Sequence, residues 1–279
     1  MHSYFQDQMN KLEMSKKARD NDENGKVSIN GLLIGEKDAI YPLPAPWRND
    51  GDCYNMVLPN VLVNPAVLAN WQDVVVETEE FRKIKSLWFF GNDDECCLNF
   101  ISSFPELKEL YIIESSCHEW DFLRDLKNLN YIFVRHAPYF DINALDPTKT
   151  GLRPKNIVLC YCGLESVEPF GHYRHIGELN LSHNSIRDIS PLSGTDIYYC
   201  TLRWNNIHDI ESLKNSVGYM LNVRHNYISE IQAIDKRVRR LYVKHNPEKD
   251  GIPNIPEHIA DRFFIDKDFN KQENQEVEE

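Results

Sequence analysis

Arg203 with Trp204, Arg224 with His225, and Tyr242, Lys244 and His245 repeat one theme, a cation beside a ring. Arg135, His136, Tyr161 and His183 carry the same residue types further back along the chain. Arg and aromatic side chains dominate the energetics of protein interfaces, and rings flanked by cations can also hold single-stranded nucleic acid. His225 and His245 are metal-competent residue types, yet no Cys or carboxylate in their frame completes a ligand set. Cys160 and Cys162 form C-Y-C rather than C-x-x-C, and Cys96 and Cys97 are adjacent, so neither pair has zinc or redox spacing. Asp93, Asp94 and Glu95 read as a solvated acidic run. The phosphate-cradling, dinucleotide-binding, nucleophile-elbow and H-E-x-x-H patterns are all missing from the sequence, so the chemistry on offer is recognition, with no cofactor and no metal expected.

The elements that position these residues follow from a repeat. In IGELNLSHNSIRDISPL, apolar residues at Ile176, Leu179, Leu181, Ile186 and Ile189 surround Asn184, which is the L-x-x-L-x-L-x-x-N-x-L spacing of a leucine-rich repeat. The frame recurs with pivots at Asn92, Ser115, Ala137, Cys162, Asn184, Asn205, Asn226 and Asn246, separated by 23, 22, 25, 22, 21, 21 and 20 residues. Such spacing predicts a horseshoe solenoid of about eight rungs, with a parallel β-sheet on the concave side and turns or 3₁₀ segments on the convex side. Each rung exposes an apolar face that only its neighbours can cover, and each pivot Asn can hold backbone groups that would otherwise be buried unpaired. Pro105, Pro169 and Pro191 sit where a convex helix would be broken. The 25-residue spacing, with Ala137 as its pivot, predicts a loop emerging between Tyr139 and Lys155.

LNLSHNSIRDISPL and TLRWNNIHDI resemble the short repeats of bacterial internalins, most clearly in the I-x-D-I-x-P-L ending, over roughly residues 84–250. The resemblance implies a bacterial binding protein and says little about its partner, because this repeat serves many. Internalins carry an export signal and a surface anchor. The N-terminus here shows no apolar signal core, so host-cell adhesion is not carried over and a cytoplasmic, membrane-free protein is expected. Residues 1–26 read as a polar tail, 27–83 as an N-terminal cap containing a strand and turn at VSINGLLI, 84–250 as the solenoid, 251–265 as a C-terminal cap and 266–279 as an acidic tail. Seven cysteines with no framework spacing are expected to be reduced and packed.

Strand alternation then yields a surface map. Between the inward apolar positions lie Trp88, Tyr111, Phe133, Val158, Asn180, Thr201, Asn222 and Tyr242; the next outward position holds Phe90, Ile113, Arg135, Cys160, Ser182, Arg203, Arg224 and Lys244. Just before each pivot stand Gly91, Glu114, His136, Tyr161, His183, Trp204, His225 and His245. The early rungs are aromatic and apolar, and the late ones mix cations with rings. From this map the partner-binding residues are expected to be Trp88, Phe90, Tyr111, Phe133, Arg135, His136, Tyr161, His183, Arg203, Trp204, Arg224, His225, Tyr242, Lys244 and His245. The N-terminal segment is an alternative cover for the early aromatic group.

With 31 Lys and Arg against 43 Asp and Glu, the net charge of -12 opposes nonspecific binding to nucleic acid or anionic membrane and favours a basic partner. The expected function is noncatalytic protein binding through the concave face. A narrower alternative is an inhibitor or immunity-type protein that sequesters one partner, and a different one is single-stranded nucleic-acid binding through Arg203, Arg224, Lys244, Trp204 and Tyr242.

Overall fold

The computed structural model describes residues 84–90 and 98–247, the short strands at 28–29, 32–35 and 54–58, and residues 254, 255 and 257. YPLPAPW and the segments read as polar and acidic tails lie outside the described residues, as do most of the two stretches read as caps.

Alternating apolar residues with β-branched and aromatic neighbours make each rung start as a short strand. The described strands are β1 (Ser28–Ile29), β2 (Leu32–Gly35), β3 (Tyr54–Leu58), β4 (Ile84–Phe90), β5 (Glu109–Ile113) and β6 (Tyr131–Arg135). They continue as β7 (Asn156–Cys160), β8 (His175–Asn180), β9 (Asp196–Thr201), β10 (Val217–Asn222) and β11 (Arg240–Tyr242). All of them join one sheet in chain order. β1 to β3 pair antiparallel, and every pairing from β3 onward is parallel.

The register puts equivalent residues side by side. Leu87, Leu110, Ile132, Ile157, Leu179, Cys200, Leu221 and Leu241 face one another in succession. All of them are buried, and so is the next inward column, Ile112, Val134, Leu159, Leu181, Leu202, Val223 and Val243. One continuous apolar core results, to which each such side chain contributes roughly 1.5–3 kcal/mol by leaving water.

The convex side is made of single turns. 3₁₀ segments occupy Asn99–Ser103, Asp121–Asp125, Ile142–Leu145, Glu168–His172, Ser190–Leu192 and Glu211–Leu213. Pro169 and Pro191 stand in the first turn of their segments, where a missing amide costs nothing, so they begin these turns rather than break them. No loop emerges between Tyr139 and Lys155. The Asp141 carboxylate accepts from the Asn143 amide and that of Asp146 from the Thr148 amide, each 2.9 Å away, capping the 3₁₀ segment and a four-residue α-helix, Pro147–Thr150. Ala144, Leu145 and Leu152 are thereby held in the core. Past β11, Asn254 bridges to Glu230, and Ile255 packs against the core.

Candidate binding surface

At the end of each strand the chain must turn inward without losing its pairing to the next rung. It does so through a left-handed residue. Glu114, His136, Tyr161, His183, Trp204, His225 and His245 all have φ between 54° and 63°. That conformation costs a side chain other than Gly or Asn roughly 1 kcal/mol or more. In return the amide stays in the ladder: His136 donates to Cys160 O (3.1 Å), Tyr161 to His183 O (3.1 Å), His183 to Arg203 O (3.0 Å) and Trp204 to Arg224 O (3.0 Å).

The residue that follows points into the core, and Asn there clamps two rungs. Asn205 Nδ2 donates to Leu202 O of its own rung (3.0 Å) and Leu181 O of the preceding one (2.9 Å), while its Oδ1 accepts from Ile186 N (3.0 Å). Asn226 repeats the set with Val223 O, Leu202 O and Ile207 N, and Asn246 with Val243 O, Val223 O and Ile228 N. Asn184 Oδ1 accepts from both Cys162 N and Leu164 N.

Because the left-handed residues are in register, their side chains form a second ladder outside the sheet. The rings of His136, Tyr161, His183, Trp204, His225 and His245 stack in unbroken succession, with centroids 4.5, 4.2, 5.6, 3.8 and 4.2 Å apart and planes within 18° of parallel. Burial within the stack lowers the pKa of His183 to about 4, helped by the positive charge of Arg203 and Arg135 and by His225 and His136. Burial likewise holds His225 at about 4, with His245, Arg224 and Arg203 pushing in the same direction. Both imidazoles are neutral at neutral pH.

The repeating strand register, the inward asparagine clamp and the convex 3₁₀ turns decide the architecture. The chain is a leucine-rich-repeat solenoid. Its solved structural neighbours include an internalin from Listeria monocytogenes, at 22% identity over 68% of this chain and 54% of that one, with a TM-score of 0.48. This chain therefore spans about half the length of that internalin. Another is internalin C2 from Listeria monocytogenes, at 17% identity over 70% of this chain and 93% of that one, with a TM-score of 0.49. No protein-family model matches the sequence, and no curated protein matches it.

The outward columns of the solenoid follow the sheet register. Trp88, Tyr111, Phe133, Val158, Asn180, Thr201, Asn222 and Tyr242 are successive partners, and Phe90 pairs with Ile113. Two expected contact residues are not at the surface. Tyr111 is 4% exposed, packed against Tyr131 and Phe133 in a small cluster with Val158, and Arg224 is 5% exposed, its guanidinium over the Tyr242 ring. Arg135, Phe133, His183, Arg203, His225, Tyr242 and Lys244 are half-buried, while His136, Tyr161, Trp204 and His245 are exposed. The side chains of Trp88 and Phe90 lie outside the described residues.

His225 and His245 do not converge on a point. Their planes lie 5° from parallel, so their in-plane lone pairs run side by side, and among the described residues no third His, Cys or carboxylate joins them. Burial raises the thiol of Cys160 to about 11 and that of Cys162 to about 12, which keeps both protonated and poorly nucleophilic at neutral pH.

Sequence reasoning missed a further outward column. Glu109, Tyr131, Asn156, Glu178, Tyr199, Met220 and Arg240 stand one residue before the inward Leu positions and are paired in that order. Beside it Tyr198, Tyr199 and Tyr219 cluster: Tyr198 stacks on Tyr219 at 5.3 Å, Tyr199 meets Tyr219 edge-on at 5.5 Å, and Arg240 lies 5.8 Å over Tyr219. Tyr198 and Tyr199 are 43% and 40% exposed. Extending the alternation one position toward each strand start finds Tyr199, and the consecutive tyrosines flag Tyr198 beside it.

Proposed function

We propose that the solenoid is a noncatalytic protein-binding module and that its contact surface is the concave side of β8–β11. The observation that carries the reading is exposure: Tyr198, Tyr199 and Trp204 keep 43%, 40% and 43% of their surface in water on a single rung that also carries Arg203. Large rings next to Arg, held rigidly by a sheet, lose little freedom on binding and are the usual anchors of protein interfaces. Single-stranded nucleic acid needs open ring faces. Trp204 lies between His183 and His225, and Arg224 covers a face of Tyr242, so those stacking platforms are already occupied.

Affinity capture from native lysate tests the reading, with the wild-type chain beside Tyr198→Ala/Tyr199→Ala and the convex control Arg124→Glu/Arg187→Glu. The expected result is a stoichiometric partner bound by wild type and control and lost from the tyrosine variant. Retention by the tyrosine variant refutes this surface. A single saturating partner is the outcome that favours the sequestering version.

A further inference from the structure

Glu178 stands on the concave side of β8, in register between Asn156 of β7 and Tyr199 of β9. It is half-buried, and among the described residues no hydrogen bond or ion pair reaches its carboxylate. Burial raises its pKa. Asp188 and Asp196 show the opposite, held below the usual carboxylate range by the Ser190 amide and the Arg237 guanidinium. Taking a carboxylate out of water without giving it a donor opposes folding, and a donor arriving from outside would offset that cost.

The surroundings of Glu178 say what kind of donor fits. Gly177 lies opposite Tyr198 in the register, so no side chain of that residue meets the β8 face of the ring. Tyr219 covers the other face at 5.3 Å. Tyr199 is 4.8 Å from Tyr198 and 5.5 Å from Tyr219 and nearly perpendicular to the first, which puts it beside the stacked pair rather than over its open end. Asn156 Oδ1 lies over Gly177, 2.8 Å from where a Cβ would be, and among the described residues the Asn156 side chain makes no hydrogen bond. A carboxylate, an amide oxygen and a ring face thus meet around Gly177, and all three attract a cation. The chain's own arginines already use such faces, with Arg240 5.8 Å over Tyr219 and Arg224 5.2 Å over Tyr242.

We propose, building on the protein-binding reading above, that this niche receives an arginine side chain of a basic partner segment, its guanidinium bonded to the Glu178 carboxylate and Asn156 Oδ1 and its plane against the open face of Tyr198. A planar guanidinium matches a carboxylate with two parallel hydrogen bonds and stacks on a ring, which an ammonium does not. The net charge of -12 steers such a segment toward the chain. Along the backbone Arg203 is four residues beyond Tyr199, about 13 Å at roughly 3.3 Å per residue, and Arg240 is three strands from Glu178, about 14 Å at roughly 4.8 Å per strand. Both separations exceed a Debye length of about 8–10 Å, so salt screens their repulsion of an incoming cation.

Fluorescence anisotropy with the full chain tests the proposal, using labelled peptides of alternating Arg and Ser, Lys and Ser, and Glu and Ser at about 0.15 M salt. The Arg–Ser peptide is expected to bind more tightly than the Lys–Ser peptide, and the Glu–Ser peptide not at all. Glu178→Gln is expected to weaken the Arg–Ser peptide about tenfold or more. Glu165→Gln, which removes the same charge away from the concave side, is expected to leave it within about twofold. The melting temperature of Glu178→Gln is expected to equal or exceed that of wild type, since the carboxylate supports no contact within the chain. No binding of the Arg–Ser peptide, equal or tighter binding of the Lys–Ser peptide, equal loss in both variants, or a lower melting temperature for Glu178→Gln overturns the proposal. The two readings fail separately. A lysate partner lost from Tyr198→Ala/Tyr199→Ala but retained by Glu178→Gln leaves the surface standing and removes its arginine site; a partner retained by both removes the surface itself.

Discussion

The early rungs around β5–β7 and the late rungs around β8–β11 solve one problem with different residues. In the late rungs each pivot asparagine ties its own rung to the one before it, using one side chain to satisfy several backbone groups. In the early rungs the pivots are Ser115, Ala137 and Cys162; none combines an amide's donors with its acceptor, although the Cys162 thiol donates toward Cys160 O of its own rung (3.4 Å) and Val134 O of the preceding one (3.7 Å). There Ser115 Oγ accepts the Cys117 amide, and the donor comes from elsewhere: Trp120 Nε1 gives its proton toward Cys117 O (3.0 Å) and Tyr139 O (3.1 Å). The extra length of those rungs is filled by aromatic side chains, with Phe140 against Trp120 edge-on at 4.5 Å and the Tyr173 hydroxyl donating to Leu145 O (2.8 Å). The concave sides differ in parallel, since Tyr111, Tyr131 and Val158 are buried while the late rungs expose tyrosine, tryptophan and cations. A repeat position can therefore be degenerate in residue type so long as its hydrogen-bonding duty is met by some neighbour.

The sharpest way to break this equivalence is to remove each region's donor. Trp120→Ala is expected to cost about 4 kcal/mol in urea unfolding, since it removes a large packed ring together with its hydrogen bonds; Trp120→Phe, which keeps most of the packing, is expected to cost about 1–2 kcal/mol. Asn205→Ala is expected to cost about 2–3 kcal/mol, because the Ile186 amide loses its acceptor in the core and Leu181 O and Leu202 O each lose one of their two asparagine donors. A loss below about 1 kcal/mol for Asn205→Ala in the same titration would show that water replaces the side chain, and the clamp account would fail.

Spacing between rungs supplies a smaller effect. A Cβ at Gly171 would lie 2.4 Å from the carbonyl oxygen of Pro191 in the next convex turn, so Gly171→Ala is expected to cost about 1–3 kcal/mol by pushing two rungs apart. Thermal melts that match wild type would contradict that close approach.

The smallest effect is the pH response of the ring ladder. In the unfolded chain His183 and His225 take up protons near pH 6.5, and in the folded chain only near pH 4. Between these values the unfolded state binds more protons, so the midpoint temperature is expected to fall as pH drops from 6.5 to 4 and to be insensitive to these groups above 6.5. His183→Gln/His225→Gln is expected to flatten that slope, and a slope unchanged in the double variant rules out the ladder as its source. The carboxylates held low by hydrogen bonds, such as Asp146 through Thr148 and His172, and Asp196 through Arg237 and His175, lose their contribution at more acidic pH.

Leu181, Leu202, Val223 and Asn205 are legible as core and clamp in the sequence alone, because their duties repeat every rung and a repeated duty leaves a period in the chain. The same alternation places Arg203 outside the sheet, whereas Trp204 and the other pre-pivot rings share the parity of the inward Leu202 and are turned outward by their left-handed backbones. Three things are decided only by the folded chain. Tyr111 and Arg224 are outward by alternation but buried by their neighbours, and burial depends on which side chains adjoin across rungs that lie far apart in sequence. The stretch after Tyr139 turns inward as capped short helices, since its capping carboxylates and buried Leu145 and Leu152 act together. His183 and His225 become neutral members of one stack because left-handed backbones align their rings and remove them from water, a property of the assembled ladder that no single repeat contains.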